Sequence, residues 1–574
     1  MLNKRIILLM SLFFFMFSAL LGRIFYYQII KGEDISRQAA AMRSQQIALS
    51  EYNRGDILDR NLSPLTSTHT SSALYCLTGL INRDANIKIG ENKEGGQAGK
   101  EQIYQDLAQY LAQVLKDRNA QEILAEIKGA GKGTQFVRID DNLSSSEIAQ
   151  INAAHPMGLV VAPIINRYRE DGFLAHLLGY ASKGEESQGQ SGIEKAYEKV
   201  LKANPSSQEL ISVLDARGRP IQGLMFKVRD KRSQEGSVVL TIDKRIQEVV
   251  EKAMNKKVEK GAVVVMDIHS KEILAMASRP TFNPYQISNI IAFDNRSTLS
   301  NRAVSKYNPG SIFKILLSVA ALEEGTVKID EPFNCSGKYV FNDQVTISCW
   351  KEEGHGALTF SQAFANSCNP TFIRVGLRLG RSQVLNYVDK LHLTDETIIG
   401  YDTGDMGTYV RIDRGEPALG NASLGQEGVM ISPLQIASLL STVADDGYWA
   451  PPALVKYTID QKGNKNELVS GNRKQVISSG TAEKVRGLLK KVVEEGTGKT
   501  AAIPEERVAG KTATSQTGRM KSEDEEILNT WFAGYLPAEQ PRWAIVVMAE
   551  EGSSGSQNCA PVFKEISQGI LQYY

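Results

Sequence analysis

YNPGSIFKILLSVAALEEG, residues 307 to 325, reads as a buried helix, yet it carries a serine at its mouth and a lysine three residues later, both among apolar neighbours. Pro309 and Gly310 break the chain just before the apolar run and place Ser311 in or near the first helical turn. There the unpaired backbone N–H groups and the positive end of the helix dipole favour developing negative charge. Three residues is most of one turn, so Lys314 projects from the same face and comes within hydrogen-bond reach of Ser311. Desolvation and the helix N-terminus both disfavour its ammonium form, which makes Lys314 a candidate general base. Taken alone, S-x-x-K is read first as a helix cap followed by a snorkelling lysine, so the pair needs partners.

Outward from this helix, the surrounding segments alternate in a way that predicts one antiparallel sheet. SVVLTIDKRIQEVVEKAM (237–254) gives a strand and then a helix, and GAVVVMDIHSKEILAMAS (261–278) gives two strands around the turn HSKE. NTWFAGYLP and RWAIVVMAEE supply two more strands near the C-terminus, and APVFKEISQGILQ a final helix. Strands at both ends of a region with a helical middle predict an α+β domain over 236–574, its sheet closed by the first and last segments. The preceding region, 26–235, reads as a mixed α/β module. Ile103, Leu107, Leu111, Val114 and Leu115 recur at helical spacing, and Ser144 and Glu147 have capping-box spacing. KVRDKRSQEG (227–236) reads as a solvated connector between the two domains. At the N-terminus, an uncharged apolar run from Ile6 to Gly22, flanked by Lys4 and Arg5 on one side and Arg23 on the other, is about long enough for one membrane crossing within residues 6–25 and is followed by no clean cleavage site. The expectation is an uncleaved anchor, a cytoplasmic tail of residues 1–5, and everything after the anchor outside.

The 574 residues carry 66 basic and 65 acidic side chains, a net charge of +1, which gives no footprint for a nucleic-acid partner. Hydrophobic content of 42% describes an ordinary folded body. The partners of S-x-x-K follow in order: ANSCNP supplies Ser367 and Asn369, and AGKTATSQ supplies Lys511, Thr512 and Ala513. S-x-x-K, S-x-N and K-T-G together form a known serine acyl-transfer set. With RGDILDRN (54–61), AHLLGY (175–180), GQSGIEKAYE (189–198), SLGQEGVMISPLQIA (423–437) and WFAGYLP (531–537), the chain resembles the class B penicillin-binding proteins, the monofunctional peptidoglycan D,D-transpeptidases, over nearly its whole length.

That resemblance implies an N-terminal transmembrane helix, a pedestal or dimerisation-type domain, and a β-lactamase-like transpeptidase domain with a central antiparallel sheet flanked by helices. It implies that Ser311 attacks the penultimate D-alanine carbonyl of a stem peptide ending in D-Ala-D-Ala, with Lys314 taking its proton. Ser367 relays a proton toward the leaving group, and Asn369 holds Lys314 or the substrate amide. Lys511 and Thr512 bind the terminal carboxylate, and the N–H groups of Ser311 and Thr514, the latter on an edge strand, form the oxyanion hole. β-Lactams are expected as covalent inhibitors and a membrane glycan polymerase as partner, with no metal and no organic cofactor. The alternatives are a β-lactam hydrolase and a non-catalytic β-lactam sensor or scaffold. One departure stands out: Ala513 replaces the usual third-motif glycine, and its methyl can press on substrate or on the serine-bearing helix.

Other residues carry plainer readings. Cys335 and Cys349 lie 14 apart and read as either a disulfide or two reduced thiols; Cys76 and Cys559 are isolated, and Cys368 fills space between Ser367 and Asn369. His355 reads as structural, and the six histidines show no ligand spacing. GTGKTAA (496–502) lacks the first glycine of a phosphate loop, Val493 standing in its place. The acidic SEDEE (522–526) reads as a solvated turn between strands.

Overall fold

The computed structural model describes residues 2–31, 44–48, 54–78, 81, 96–129, 137–154, 158–182, 187–202, 208–213, 227–230, 235–294, 296–468, 471–504, 507–522 and 525–574. They fall into two compact units, the first comprising Met1–Asn53, His69–Asn166 and Ser206–Ser233, the second Arg54–Thr68, Arg167–Pro205 and Gln234–Tyr574. Two segments that the sequence reading gives to the first module, 54–68 and 167–205, thus fold with the second unit.

In the first unit, helix α1 (Leu2–Phe25) runs on into a π-helical turn, Tyr26–Ile30. Its stretch Ile6–Ile30 has a mean hydropathy of 2.1 and none of it is buried in protein, as expected of a span whose solvent is lipid. A three-stranded antiparallel sheet sets His69–Cys76 between Val137–Asp140 and Leu159–Asn166. Helices Gly96–Val114 and Ala120–Gly129 share a core with it, Leu107, Leu111 and Ile123 meeting Leu74 and Cys76. The predicted capping box forms: Ser144 N–H donates to Glu147 Oε2 at 2.8 Å and Glu147 N–H to Ser144 Oγ at 3.3 Å. The connector expected at 227–236 differs from its reading. Lys227–Asp230 is a strand, paired antiparallel with Gln208–Val213, because Val228 sits between polar residues in the alternation a ladder needs. Residues 231–234 lie outside the described ones.

The second unit is built on five strands: β1 (Gly261–Asp267), β2 (Ile273–Arg279), β3 (Ala509–Met520), β4 (Glu526–Leu536) and β5 (Trp543–Glu550). All pair antiparallel in the order β2-β1-β5-β4-β3, so the expected closure occurs between β1 and β5, and β3 is an edge. Both faces are covered, which explains why β1 and β5 read as continuous apolar runs rather than alternating ones. Val264, Met266, Val546 and Met548 face a core containing α2 (Lys314–Glu323) and the helix Pro433–Ala444. Val263, Val265, Ile545 and Val547 face a second core, with the helices Lys244–Lys257 and Ala560–Leu571. The segment SEDEE contributes Glu526 to the start of β4, and residues 523–524 of the β3–β4 turn lie outside the described ones.

Two of the quoted motifs meet within this unit, joined by Arg167 and Tyr168. Arg54 and Glu194, both fully buried, are joined at 2.8 Å; Arg167 Nε donates to the other Glu194 oxygen at 2.5 Å, and Tyr168 OH to the same oxygen at 3.0 Å. A buried carboxylate so saturated is costly to expose by removing any one partner, and it fixes RGDILDRN against GQSGIEKAYE beside the sheet edge at Ile57–Leu58 and Ser237–Leu240.

Candidate active site

Ser311 lies in a 3₁₀ turn, Gly310–Phe313, that leads directly into α2. The entry is tight. Gly310 has φ +56°, its N–H donates to Gly425 O at 2.9 Å, and a Cβ on Gly425 would stand 2.1 Å from Gly310 O. Only glycines permit this approach, which accounts for NPGS and SLGQ meeting here. On the other side a Cβ at Gly310 would reach Thr514 O at 3.0 Å, so the serine turn is pressed against β3. Asn308, just before the turn, ties it to the Gly425 segment by donating through Nδ2 to Gln426 O and Val429 O.

Lys314 is fully buried. Its Nζ donates to Ser367 O at 2.9 Å, Asn369 Oδ1 at 2.8 Å and Ser367 Oγ at 3.3 Å, and Ser367 Oγ donates to Ser311 Oγ at 2.9 Å. The sequence places Lys314 directly on Ser311; in the structure the Ser367 hydroxyl stands between them, and no direct Ser311–Lys314 hydrogen bond occurs among the described residues. Burial lowers the Lys314 pKa to about 8, against a smaller upward Coulombic pull from Cys368 and Cys349. Ser367 has φ +55°, a left-handed conformation that costs a non-glycine residue roughly 1–2 kcal/mol. It sits between the helix Phe360–Ala365 and the helix Asn369–Lys390, whose start carries Asn369.

Strand β3 brings the third motif alongside. Lys511 is fully buried, its Nζ donating to Thr512 O at 2.9 Å and lying 6.0 Å from the Phe364 ring centroid. Burial, then the charge of Lys314, holds its pKa well below the usual lysine value. An incoming carboxylate would relieve both penalties. Thr512 shares a hydrogen bond with Thr497 at 2.6 Å, which absorbs GTGKTAA into the same wall; that segment follows the helix Ser479–Glu494 and not the strand a phosphate loop requires. Ala513 is only 4% exposed and pairs across the sheet with Trp531 in the core shared with α2. Its methyl therefore points toward the serine-bearing side, the second of the two directions expected. Thr514 lies on the edge strand, as read from the sequence.

The sequence reading missed one grouping. The sulfurs of Cys335, Cys349 and Cys368 and an imidazole nitrogen of His355 all lie within 4.8 Å of one another. All five cysteines are free and buried, so of the two readings for Cys335 and Cys349 the structure has the reduced one. The available signal was compositional, three of five cysteines and a histidine within 34 residues, but the gaps match no common ligand spacing. Cys368 does more than fill space: it donates toward Cys349, which lowers the Cys349 thiol because the charged sulfur is the better acceptor.

Comparison with known proteins is consistent over the whole chain. Residues 227–568 match the family model for the penicillin binding protein transpeptidase domain, and residues 50–241 that for the penicillin-binding protein dimerisation domain. Stage V sporulation protein D of Bacillus subtilis is 27% identical over 99% of this chain and 85% of its own length. Peptidoglycan D,D-transpeptidase FtsI of Escherichia coli is 26% identical over 96% of this chain and 89% of its own. Among solved structures, the D,D-transpeptidase domain of a peptidoglycan glycosyltransferase from Eggerthella lenta aligns with a TM-score of 0.59 at 27% identity, covering 72% of this chain and 93% of that one.

Proposed function

This chain belongs to the penicillin-binding protein transpeptidase family, and from that premise we propose that Ser311, Lys314, Ser367, Asn369, Lys511, Thr512 and Thr514 carry its reaction. The protein is a peptidoglycan D,D-transpeptidase that binds β-lactams. The observation that carries the residue assignment is the hydrogen-bonded chain Lys314–Ser367–Ser311 beside a second buried lysine.

With Lys314 neutral the two hydrogen bonds reverse, Ser311 O–H donating to Ser367 Oγ and Ser367 O–H to Lys314 Nζ, and Lys314 draws the Ser311 proton through the Ser367 hydroxyl as Ser311 Oγ bonds to the penultimate D-alanine carbonyl. The N–H groups of Ser311 and Thr514 stabilise the oxyanion, and Lys511 with Thr512 holds the terminal carboxylate. Collapse breaks the peptide bond and returns the proton along the same relay to the D-alanine nitrogen. An amine of a neighbouring stem peptide then takes the acyl group, and Ser311 recovers its proton. The hydrolase alternative needs a base for water behind the ester. Among the described residues the hydrogen-bond partners of Ser311, Lys314 and Ser367 include no carboxylate, which favours a long-lived ester.

The first unit is proposed as a pedestal, α1 as a single-pass anchor with the catalytic unit outside the cell, and a glycan polymerase as membrane partner. The test is intact mass of the detergent-solubilised chain after penicillin. A stable adduct, absent in Ser311→Ala, is expected; an adduct that survives Ser311→Ala refutes the assignment, and one that disappears with turnover of the antibiotic makes the hydrolase correct.

A further inference from the structure

The region from Pro332 to Thr359 is an excursion with little core of its own. Its two ladders are short: Pro332–Cys335 pairs with Gly356–Thr359, and Lys338–Val340 with Thr346–Ser348. Most of their residues face solvent. Two-stranded pieces of this size are marginal in water unless something staples them. Yet the excursion bears directly on the catalytic residues, since Asn369 Nδ2 donates to Ser348 O at 3.1 Å and Trp350 Nε1 donates to Asn366 O at 2.8 Å.

At its base lie four soft or borderline ligands converging from separate points of the chain. Cys335 ends the first strand, Cys349 follows the Thr346–Ser348 strand, His355 precedes the returning strand, and Cys368 stands between Ser367 and Asn369. The three thiols are buried and unbridged. His355 Nδ1 is 3.6 Å from the Cys349 sulfur, and its Nε2 is buried with no hydrogen-bond partner. A tetrahedral zinc centre, with Zn–S of about 2.3 Å and Zn–N of about 2.0 Å, has edges of roughly 3.5–3.8 Å. The observed maximum separation of 4.8 Å therefore lies within small side-chain movements of that geometry, and the Cys349–His355 edge already matches it.

We infer that Cys335, Cys349, His355 and Cys368 form a structural zinc site that staples the excursion to the Ser367–Asn369 segment. A tris-thiolate, imidazole set favours zinc over magnesium, calcium or manganese, which prefer oxygen. Each cysteine enters as a thiolate and releases its proton to solvent, and with four protein ligands the metal keeps no open position for substrate. Its effect on the reaction is through position. Cys368 is flanked by the two residues that hold Lys314, one of them in a left-handed conformation, so a fixed sulfur there fixes both neighbours. Metal binding itself stands independently of the proposed catalytic roles.

The test is elemental analysis of the full-length chain, purified in detergent with a thiol reductant and no chelator. One equivalent of zinc per chain is expected, retained in Cys76→Ser and lost to background in Cys349→Ser and in His355→Ala. Because a ligand variant can misfold, the parental protein is also stripped and refilled with cobalt, which should produce a thiolate-to-metal absorption band. Stripping should slow penicillin acylation by about a hundredfold, the scale of a misplacement of catalytic groups by an ångström, and zinc should restore it. Chains without zinc that titrate as free thiols, a Cys335–Cys349 disulfide in their place, or zinc retained in both ligand variants would overturn the inference. Slow acylation with normal zinc loading would instead count against the catalytic assignment alone.

Discussion

Lys314 and Lys271 are two buried lysines in the same unit, and burial lowers both to about 8. Their surroundings differ in one respect. Lys271 Nζ donates to Ile268 O, to Ser441 O at 3.0 Å and to the Asp445 carboxylate at 3.1 Å, and Asp445 is also held by Arg473 and His269. Among the described residues the hydrogen-bond acceptors of Lys314 Nζ are a carbonyl, a hydroxyl and an amide oxygen, with no carboxylate. When Lys271 loses its proton it weakens the compensation of a buried carboxylate, so it acts as a clamp. When Lys314 loses its proton no hydrogen-bonded carboxylate is stranded, which suits the proposed role of giving and taking a proton repeatedly. The displacement of a pKa alone does not separate the proposed base from the clamp; the paired carboxylate of Lys271 does.

The largest expected effect tests the second half of that contrast. Lys314→Ala should slow acylation by penicillin about 10²–10⁴-fold while leaving the near-ultraviolet circular dichroism unchanged; a folded variant that acylates at the parental rate removes Lys314 from the mechanism. Next, Lys271→Met should cost about 3 kcal/mol, near the lower end for breaking a buried pair because Arg473 remains on Asp445. Calorimetry should record the fall in melting temperature, and the folded fraction should still acylate normally; slower chemistry per folded molecule would erase the distinction between the two lysines. The third test is pH. With neutral Lys314 as the proposed base and burial lowering its pKa to about 8, acylation should rise by about tenfold between pH 7 and pH 9 and then level. A rate that falls across this window would mean the ammonium form is the active one. Smallest is Ala513→Gly. The methyl is already accommodated beside Trp531, so acylation should stay within about threefold, with stability lower by roughly 0.5–1 kcal/mol from the added backbone freedom. A tenfold gain would place the methyl against the ligand instead.

Much of this was legible in the chain. Val263–Met266 and Val546–Met548 announced central strands by unbroken apolar runs, and Pro309-Gly310 announced the serine turn by local chemistry. Ser367, Asn369 and Lys511 followed from motif order. What the sequence withheld depends on pairing at a distance. The Ser367 hydroxyl stands between Lys314 and Ser311 because its residue is turned to φ +55°, which no spacing encodes. The strand at Lys227–Asp230 needed its partner at Gln208–Val213 to outweigh its charge. Segments 54–68 and 167–205 are tied to one another by Arg54, Arg167 and Glu194, an ion cluster assembled from separate stretches of chain, and to the rest of the second unit by the pairing of Ile57 and Leu58 with Val238 and Val239. Cys335, Cys349, His355 and Cys368 converge only once two short ladders fold back.

The pairing of β1 with β5 has a consequence for biosynthesis. A ribosome delivers β1 some 276 residues before the strand that must lie beside it, and β5 also links β2-β1 to β4-β3. Until it arrives, β1 exposes an apolar, unpaired edge of the kind that recruits wrong partners, and contacts this distant form slowly. A nascent chain stopped before Trp543 should already contain Ser311, Lys314, Ser367 and Lys511 and still be unable to trap penicillin, so newly made molecules should depend on chaperones for that interval and become antibiotic-sensitive only at its end.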